Sequence, residues 1–142
     1  MNPLALLVII TYLFFPVFSD KPRVESLRIG VTRRIPEEDC MRRANVDDNL
    51  GIHYTGLLYQ TGVKFDSSRD RGQTLDFKLG AGQLIKGMDQ GIRGMCVGET
   101  RRITIPAHLG YGKEGSPPVI PEDADLIFEV ELVSINDQKN EL

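Results

Sequence analysis

Apolar and polar residues alternate with a period of two through most of the chain between residues 27 and 132. Leu27, Ile29 and Val31 alternate, as do Ile52 and Tyr54, Val63 and Phe65, and Leu75, Phe77 and Leu79. Ile103 and Ile105 follow the same rule up to Pro106, and Leu126, Phe128, Val130 and Leu132 enclose Glu129 and Glu131. Successive side chains of a strand point to opposite faces, so this pattern predicts antiparallel strands with one wet face. Tyr59-Gln60-Thr61-Gly62, Gly80-Ala81-Gly82 and Gly98-Glu99 supply the turns between them. One segment departs: Gln83–Gln90 places Leu84, Ile85 and Met88 at helical offsets, which predicts a short helix closed by Gly91 or Gly94. The expected fold is therefore α+β, a single twisted antiparallel sheet of about five strands wrapped around one short helix. No repeat or linker divides residues 20–136, which are expected to form one domain.

The two ends follow other rules. Residues 1–19 carry no Asp, Glu, Lys or Arg, and Leu4–Phe18 is an apolar run broken only by Thr11 and Pro16. A membrane-spanning helix needs about 20 apolar residues, so this shorter run reads as the core of a secretory signal peptide, although the segment before it lacks a basic residue. Val17-Phe18-Ser19 fits cleavage before Asp20; an uncleaved anchor is the alternative. Residues 137–142 form a tail that ends in Lys139-Asn140-Glu141-Leu142, close to the Lys-Asp-Glu-Leu retrieval signal. Together the two ends predict residence in the endoplasmic reticulum lumen, without stable membrane insertion.

Charge and composition remove several functions. A net charge of −3 among 17 basic and 20 acidic residues argues against a nucleic-acid binder. An apolar share of 41% excludes a disordered polyelectrolyte. Asp66-x-Ser68-x-Asp70 begins like a calcium loop, but its glycine comes late, at Gly72, and Phe77 stands where a bidentate Glu is required. Gly80-x-Gly82 is followed by Ile85 where a dinucleotide fingerprint needs glycine. His53, His108, Cys40 and Cys96 have no ligand spacing, so neither metal nor cofactor is expected. No nucleophile elbow or catalytic triad can be assembled.

What remains is an aromatic and aliphatic set with a few polar groups. His53-Tyr54-Thr55-Gly56, Phe65-Asp66-Ser67-Ser68, Leu84–Gly91, Leu109-Gly110-Tyr111-Gly112 and Ala124–Leu132 stand in the order and spacing of the FKBP family. The chain resembles these peptidyl-prolyl cis-trans isomerases, which bind tacrolimus and rapamycin, over about residues 22–135. The resemblance implies aromatic walls from Tyr54, Phe65, Phe77 and Phe128 around a proline ring, with Leu84 and Ile85 adding aliphatic surface. It implies that the Ile85 N–H and the Tyr111 hydroxyl donate to substrate carbonyls, and that Asp66 makes a polar contact at the pocket edge. Ile120 would belong to an overhanging loop, Gly112–Pro121. Met88 takes the floor position where the family most often has Trp, and Leu75 a rim position where an aromatic is common. A flexible Met keeps the pocket apolar but less rigid.

The signal-peptide-like N-terminus, the cysteine pair and the terminal tetrapeptide resemble the small endoplasmic-reticulum-resident FKBP subtype. In an oxidising lumen Cys40 and Cys96 would form one disulfide; in a reducing compartment they would be buried thiols or a sensor. The resemblance implies a monomer that accelerates X–Pro isomerisation in proline-containing, unfolded or partly folded secretory proteins and takes macrolides in the same pocket. The alternatives are a lumenal chaperone or binding module with little catalysis, and a calcium- or metal-dependent lumenal protein.

Overall fold

The computed structural model describes residues 21–136. The apolar N-terminus up to Ser19 and the Lys139–Leu142 tail both lie outside the described residues. Six strands form one antiparallel sheet: β1 (Arg28–Arg33), β2 (Asn49–Leu58), β3 (Lys64–Ser67), β4 (Leu75–Lys78), β5 (Thr100–Ile105) and β6 (Leu126–Asn136). They stand in the order β1-β5-β6-β2-β3, with β4 also on β2. Each corresponds to an alternating run of the sequence, and one antiparallel sheet with one short helix is the expected α+β arrangement, with six strands where about five were expected. The extra strand arises because the long β2 shares one edge between two short partners. Asn49–Ile52 pair with β4, while Thr55–Leu57 pair with β3.

Helix α1 (Lys86–Ile92) packs on the concave face. It begins after Leu84 and Ile85 rather than with them, and it runs through Gly91. Gly91 is a packing device and not a stop: a Cβ there would come within 2.7 Å of Ile103. Gly87 meets Ile105 in the same way, at 2.5 Å. These two glycines let the helix backbone lie against β5. The chain turns away at Gly94, where φ is +79°, a conformation that glycine adopts without a Cβ clash. Of the two glycines offered as terminators, Gly94 is the one that acts.

The core lies between α1 and the sheet. Leu50, Ile52, Leu79, Ile92, Met95, Ile103, Ile105, Leu126 and Leu132 are completely buried. At one end Cys40 and Cys96 form a disulfide with Cα atoms 5.5 Å apart. Beside it, the Ala44 N–H donates to Met95 O and the Gly94 N–H to Ala44 O, which secures the segment before β2 to the turn after α1. The bridge spans a sequence separation of 56 residues, and in the chain-entropy account closing such a loop stabilises the fold by about 4 kcal/mol. Strand β1 departs from the expected pattern. Its apolar residues Ile29 and Val31 remain 46% and 41% exposed, because α1 packs on β5 and does not extend to this edge.

Candidate active site

The site forms where β2 passes from one edge partner to the other. Tyr54 sits in that gap, and side chains rather than a strand satisfy its backbone. Its N–H donates to Ser68 Oγ at 2.9 Å, and its C=O accepts from Ser67 Oγ at 3.2 Å. Ser68 Oγ also lies 2.9 Å from His53 Nδ1, so that histidine is occupied by the framework. The Tyr54 ring is held on the concave face, 6.0 Å from Phe128 on β6. Phe65 meets Phe128 edge to face at 5.6 Å, a favoured aromatic geometry.

Gly56 makes the Phe65 position possible. A Cβ at Gly56 would lie 2.5 Å from the Phe65 ring and 3.1 Å from Phe128. The bare backbone lets both rings settle onto β2 and leaves a hollow in front of them. Tyr54, Phe65, Phe128, Leu75, Leu84, Ile85 and Met88 supply its apolar lining, and Asp66, Gln83 and Tyr111 its polar groups. The cavity holds about 210 Å³. Met88 lies buried at its base on α1.

One polar triangle closes the edge of the hollow. The Tyr54 hydroxyl donates to Asp66 Oδ2 at 2.5 Å and accepts from the Arg71 guanidinium at 2.8 Å. Arg71 also donates to Asp66 Oδ1 at 2.6 Å. Burial alone would raise the Asp66 carboxyl, but the Tyr54 and Arg71 hydrogen bonds reverse this and hold it below its ordinary value. Burial raises the Tyr54 hydroxyl, and the hydrogen bond to Asp66 adds to the shift. Tyr111 is raised by burial first and by the Asp66 charge second. At neutral pH the site therefore holds one carboxylate and two protonated phenols.

Two donors in the hollow have no acceptor among the described residues: the Ile85 N–H, just ahead of α1, and the Tyr111 hydroxyl. The arrangement contains no nucleophile beside a base. Its chemistry is that of a mainly apolar aromatic slot with free donors and one fixed carboxylate. Such a slot can hold a small apolar ring and ligate the carbonyls next to it.

Nine of the residues singled out from the sequence meet in this hollow: Tyr54, Phe65, Asp66, Leu75, Leu84, Ile85, Met88, Tyr111 and Phe128. Two do not reach its lining. Phe77 and Ile120 are buried in the hydrophobic core behind it. Phe77 shares a face of β4 with Leu75, but it lies one pleat further along, opposite the fully buried Leu50 of β2, and is taken into the core while Leu75 at the start of the strand borders the hollow. Ile120 is drawn inward because the Ser116–Ile120 bridge folds its loop back on itself. Arg71 and Gln83 were not anticipated. Arg71 ends a short 3-10 turn (Ser68–Arg71) and reads in sequence as part of a solvated charge run. Gln83 caps β4 by accepting from the Lys78 N–H at 2.9 Å.

Comparison with known proteins points in one direction. The family model for FKBP-type peptidyl-prolyl cis-trans isomerase matches residues 40–133. The chain is 50% identical over 126 residues to peptidyl-prolyl cis-trans isomerase FPR2 of Saccharomyces cerevisiae, covering 87% of this chain and 93% of that protein. It is 48% identical over 133 residues to FK506-binding protein 2 of Yarrowia lipolytica, covering 94% of this chain and 92% of that protein. FK506-binding protein 2B of Rhizopus delemar is 56% identical over 113 residues, and the match spans about half (54%) of that longer relative. With an aromatic hollow that sets no nucleophile beside a base, and with these matches along nearly its whole length, the chain belongs to the FKBP-type peptidyl-prolyl cis-trans isomerases.

Proposed function

We propose that this isomerase acts on X–Pro bonds of secretory proteins in the endoplasmic reticulum lumen, that the Tyr54–Phe128 hollow is its active site, and that tacrolimus and rapamycin bind there. The observation that carries the reading is the pairing of an apolar slot with two free donors and no reactive nucleophile. Rotation about an X–Pro amide breaks no covalent bond but must overcome amide resonance. The twisted amide has lost charge separation, so apolar walls favour it over the planar ground state. Phe65, Phe128, Tyr54 and Met88 enclose the ring, Leu75 and Leu84 line the entrance, and Ile85 N–H and Tyr111 Oη–H hold the flanking carbonyls. Asp66 keeps the Tyr54 wall in place and sets a fixed negative charge beside the slot. A thousandfold acceleration requires only about 4 kcal/mol of preference for the twisted form.

The lumenal setting is supported by the charge-free apolar N-terminus, the Lys139-Asn140-Glu141-Leu142 tail and the Cys40–Cys96 disulfide. Macrolide binding is supported by two of the relatives, which are named FK506-binding proteins. The domain organisation that goes with this reading is a signal peptide over 1–19, the isomerase domain over 20–136 and a retrieval tail over 137–142. The test is the isomerisation rate of an X–Pro peptide with and without rapamycin. The expected result is acceleration that disappears at one rapamycin per protein; acceleration that persists at saturating rapamycin would place catalysis outside the hollow.

A further inference from the structure

Strand β1 is the open edge of the sheet. It pairs with β5 on one side and with no described strand on the other. Such an edge presents unpaired N–H and C=O groups, and proteins normally blunt it. Here the blunting is incomplete. Ile29 and Val31 are β-branched and exposed, on the same side of β1, and the register shift comes only after Val31. On the other side Gly30 leaves a notch: nothing lies closer than 3.9 Å to where its Cβ would stand.

Between Glu25 and Glu37 the charge at this edge has one sign. The segment Ser26–Pro36 contains Arg28, Arg33 and Arg34 and no acid, in a chain whose net charge is −3. Most arginines of the described chain hold a carboxylate. Those that hold none are Arg28, Arg33, Arg34 and Arg93, so three of these four lie on β1 or directly after it. Arg28 instead stacks over Tyr59, with Lys21 on the same ring at 5.1 Å. A second copy of the chain would bring two such cationic edges together, which charge repulsion opposes.

We propose that the free edge of β1 docks an extended acidic peptide segment, which adds beside Arg28–Thr32 as a further strand. Backbone hydrogen bonds supply the register-independent part of the affinity, as in other β-augmentation. Apolar side chains of the incoming strand cover Ile29 and Val31. Its carboxylates face Arg28 on one flank and Arg33 and Arg34 on the other, so the preferred sequence alternates acidic and apolar residues. No β1 residue lines the Tyr54–Phe128 hollow, so a bound segment leaves that site open.

The test is titration of the isotope-labelled protein with a capped peptide of alternating Glu and Val, seven residues long, and with the same peptide carrying Lys for Glu. The acidic peptide should produce saturable amide shifts confined to residues 28–34 and their β5 partners. The response should weaken at least tenfold between about 50 and 300 mM salt, since the contacts are exposed charges. The double variant Arg28→Glu with Arg33→Glu should reverse the preference toward the lysine peptide, with X–Pro turnover unchanged. The proposal is overturned by the absence of saturable shifts at β1, by an equal response to both peptides, or by shifts confined to the hollow. It is equally overturned if β1 shifts follow protein concentration alone, which would make a second copy the occupant. Movement of β1 signals in Asp137→Lys or Glu141→Lys would instead identify the tail of this chain.

Discussion

Two arginine–carboxylate networks stand on opposite sides of β2, and they work differently. At one, Asp125 is almost fully enclosed, with its side chain 1% exposed. It accepts from the Val24 N–H at 2.9 Å and the Ala107 N–H at 3.0 Å, and Arg23 closes over it. At the other, Asp66 is 40% exposed at the side chain and bonds to Tyr54 and Arg71. Both carboxyls are held below their ordinary value against the opposing effect of burial. The first network ties backbone to backbone: it fixes where the N-terminal segment and the turn after β5 meet. The second ties side chains to each other beside a cavity, with the neighbouring Ser67 N–H as its main-chain contact. A carboxylate bound to buried N–H groups belongs to the framework, whereas one bound to an aromatic wall belongs to the site.

The sharpest way to break this contrast is Asp125→Ala. It leaves two buried N–H groups without an acceptor, and each such group costs about 1–3 kcal/mol. Chemical denaturation should show a loss of about 3 kcal/mol. A loss below about 1 kcal/mol would put Asp125 in the same class as Asp66.

Gly56→Ala acts on the other side of the comparison. The new methyl group displaces the Phe65 ring, which lines the hollow. Peptide kcat/KM should fall roughly tenfold, with a stability cost of about 1–3 kcal/mol from overpacking. Unchanged turnover would show that the Phe65 position does not matter to catalysis.

Met88→Trp sharpens the contrast by filling the base of the hollow with a rigid ring. A well-packed aromatic adds about 1 kcal/mol, or about fivefold in rapamycin affinity. Thermal melts separate this gain from a fold that cannot accommodate the larger side chain.

The smallest effect concerns pH. The stabilisation from Asp66 and Asp125 is present above the unfolded carboxyl value of about 4 and is lost as pH falls through their lowered folded values. The Tyr54 and Tyr111 hydroxyls, both raised, stay protonated past about pH 10. Turnover per folded molecule should therefore be flat from about pH 5 to 9, and a step in that range would assign a role to some other titrating group.

Much of this was legible in the chain. Strand alternation is a local property, so every strand appeared in the pattern, and the motifs around Tyr54, Asp66, Ile85 and Tyr111 pointed to one cavity. What the pattern could not carry was pairing. That β2 divides its edge between β3 and β4 depends on long-range register, which no local alternation carries. Leu84 and Ile85 have helical spacing with Met88 but precede α1, because their apolar side chains turn toward the hollow instead of the helix–sheet seam. Gly56 and Gly91 resemble ordinary turn glycines in sequence; only the rings and branched side chains packed on them show that space is their function. Arg71 was hidden for a related reason, since a charge in Ser68–Arg71 is read as solvated until its partner is located.

The central claim is that Asp66 serves the reaction and Asp125 serves the fold. Its most direct test is peptide kcat/KM per folded molecule for Asp66→Ala and Asp125→Ala, at a low temperature where both remain folded. The account predicts turnover reduced about tenfold or more in Asp66→Ala with stability changed by less than about 1 kcal/mol, and near-normal turnover in Asp125→Ala. Normal turnover in Asp66→Ala, alongside impaired turnover in fully folded Asp125→Ala, would contradict it.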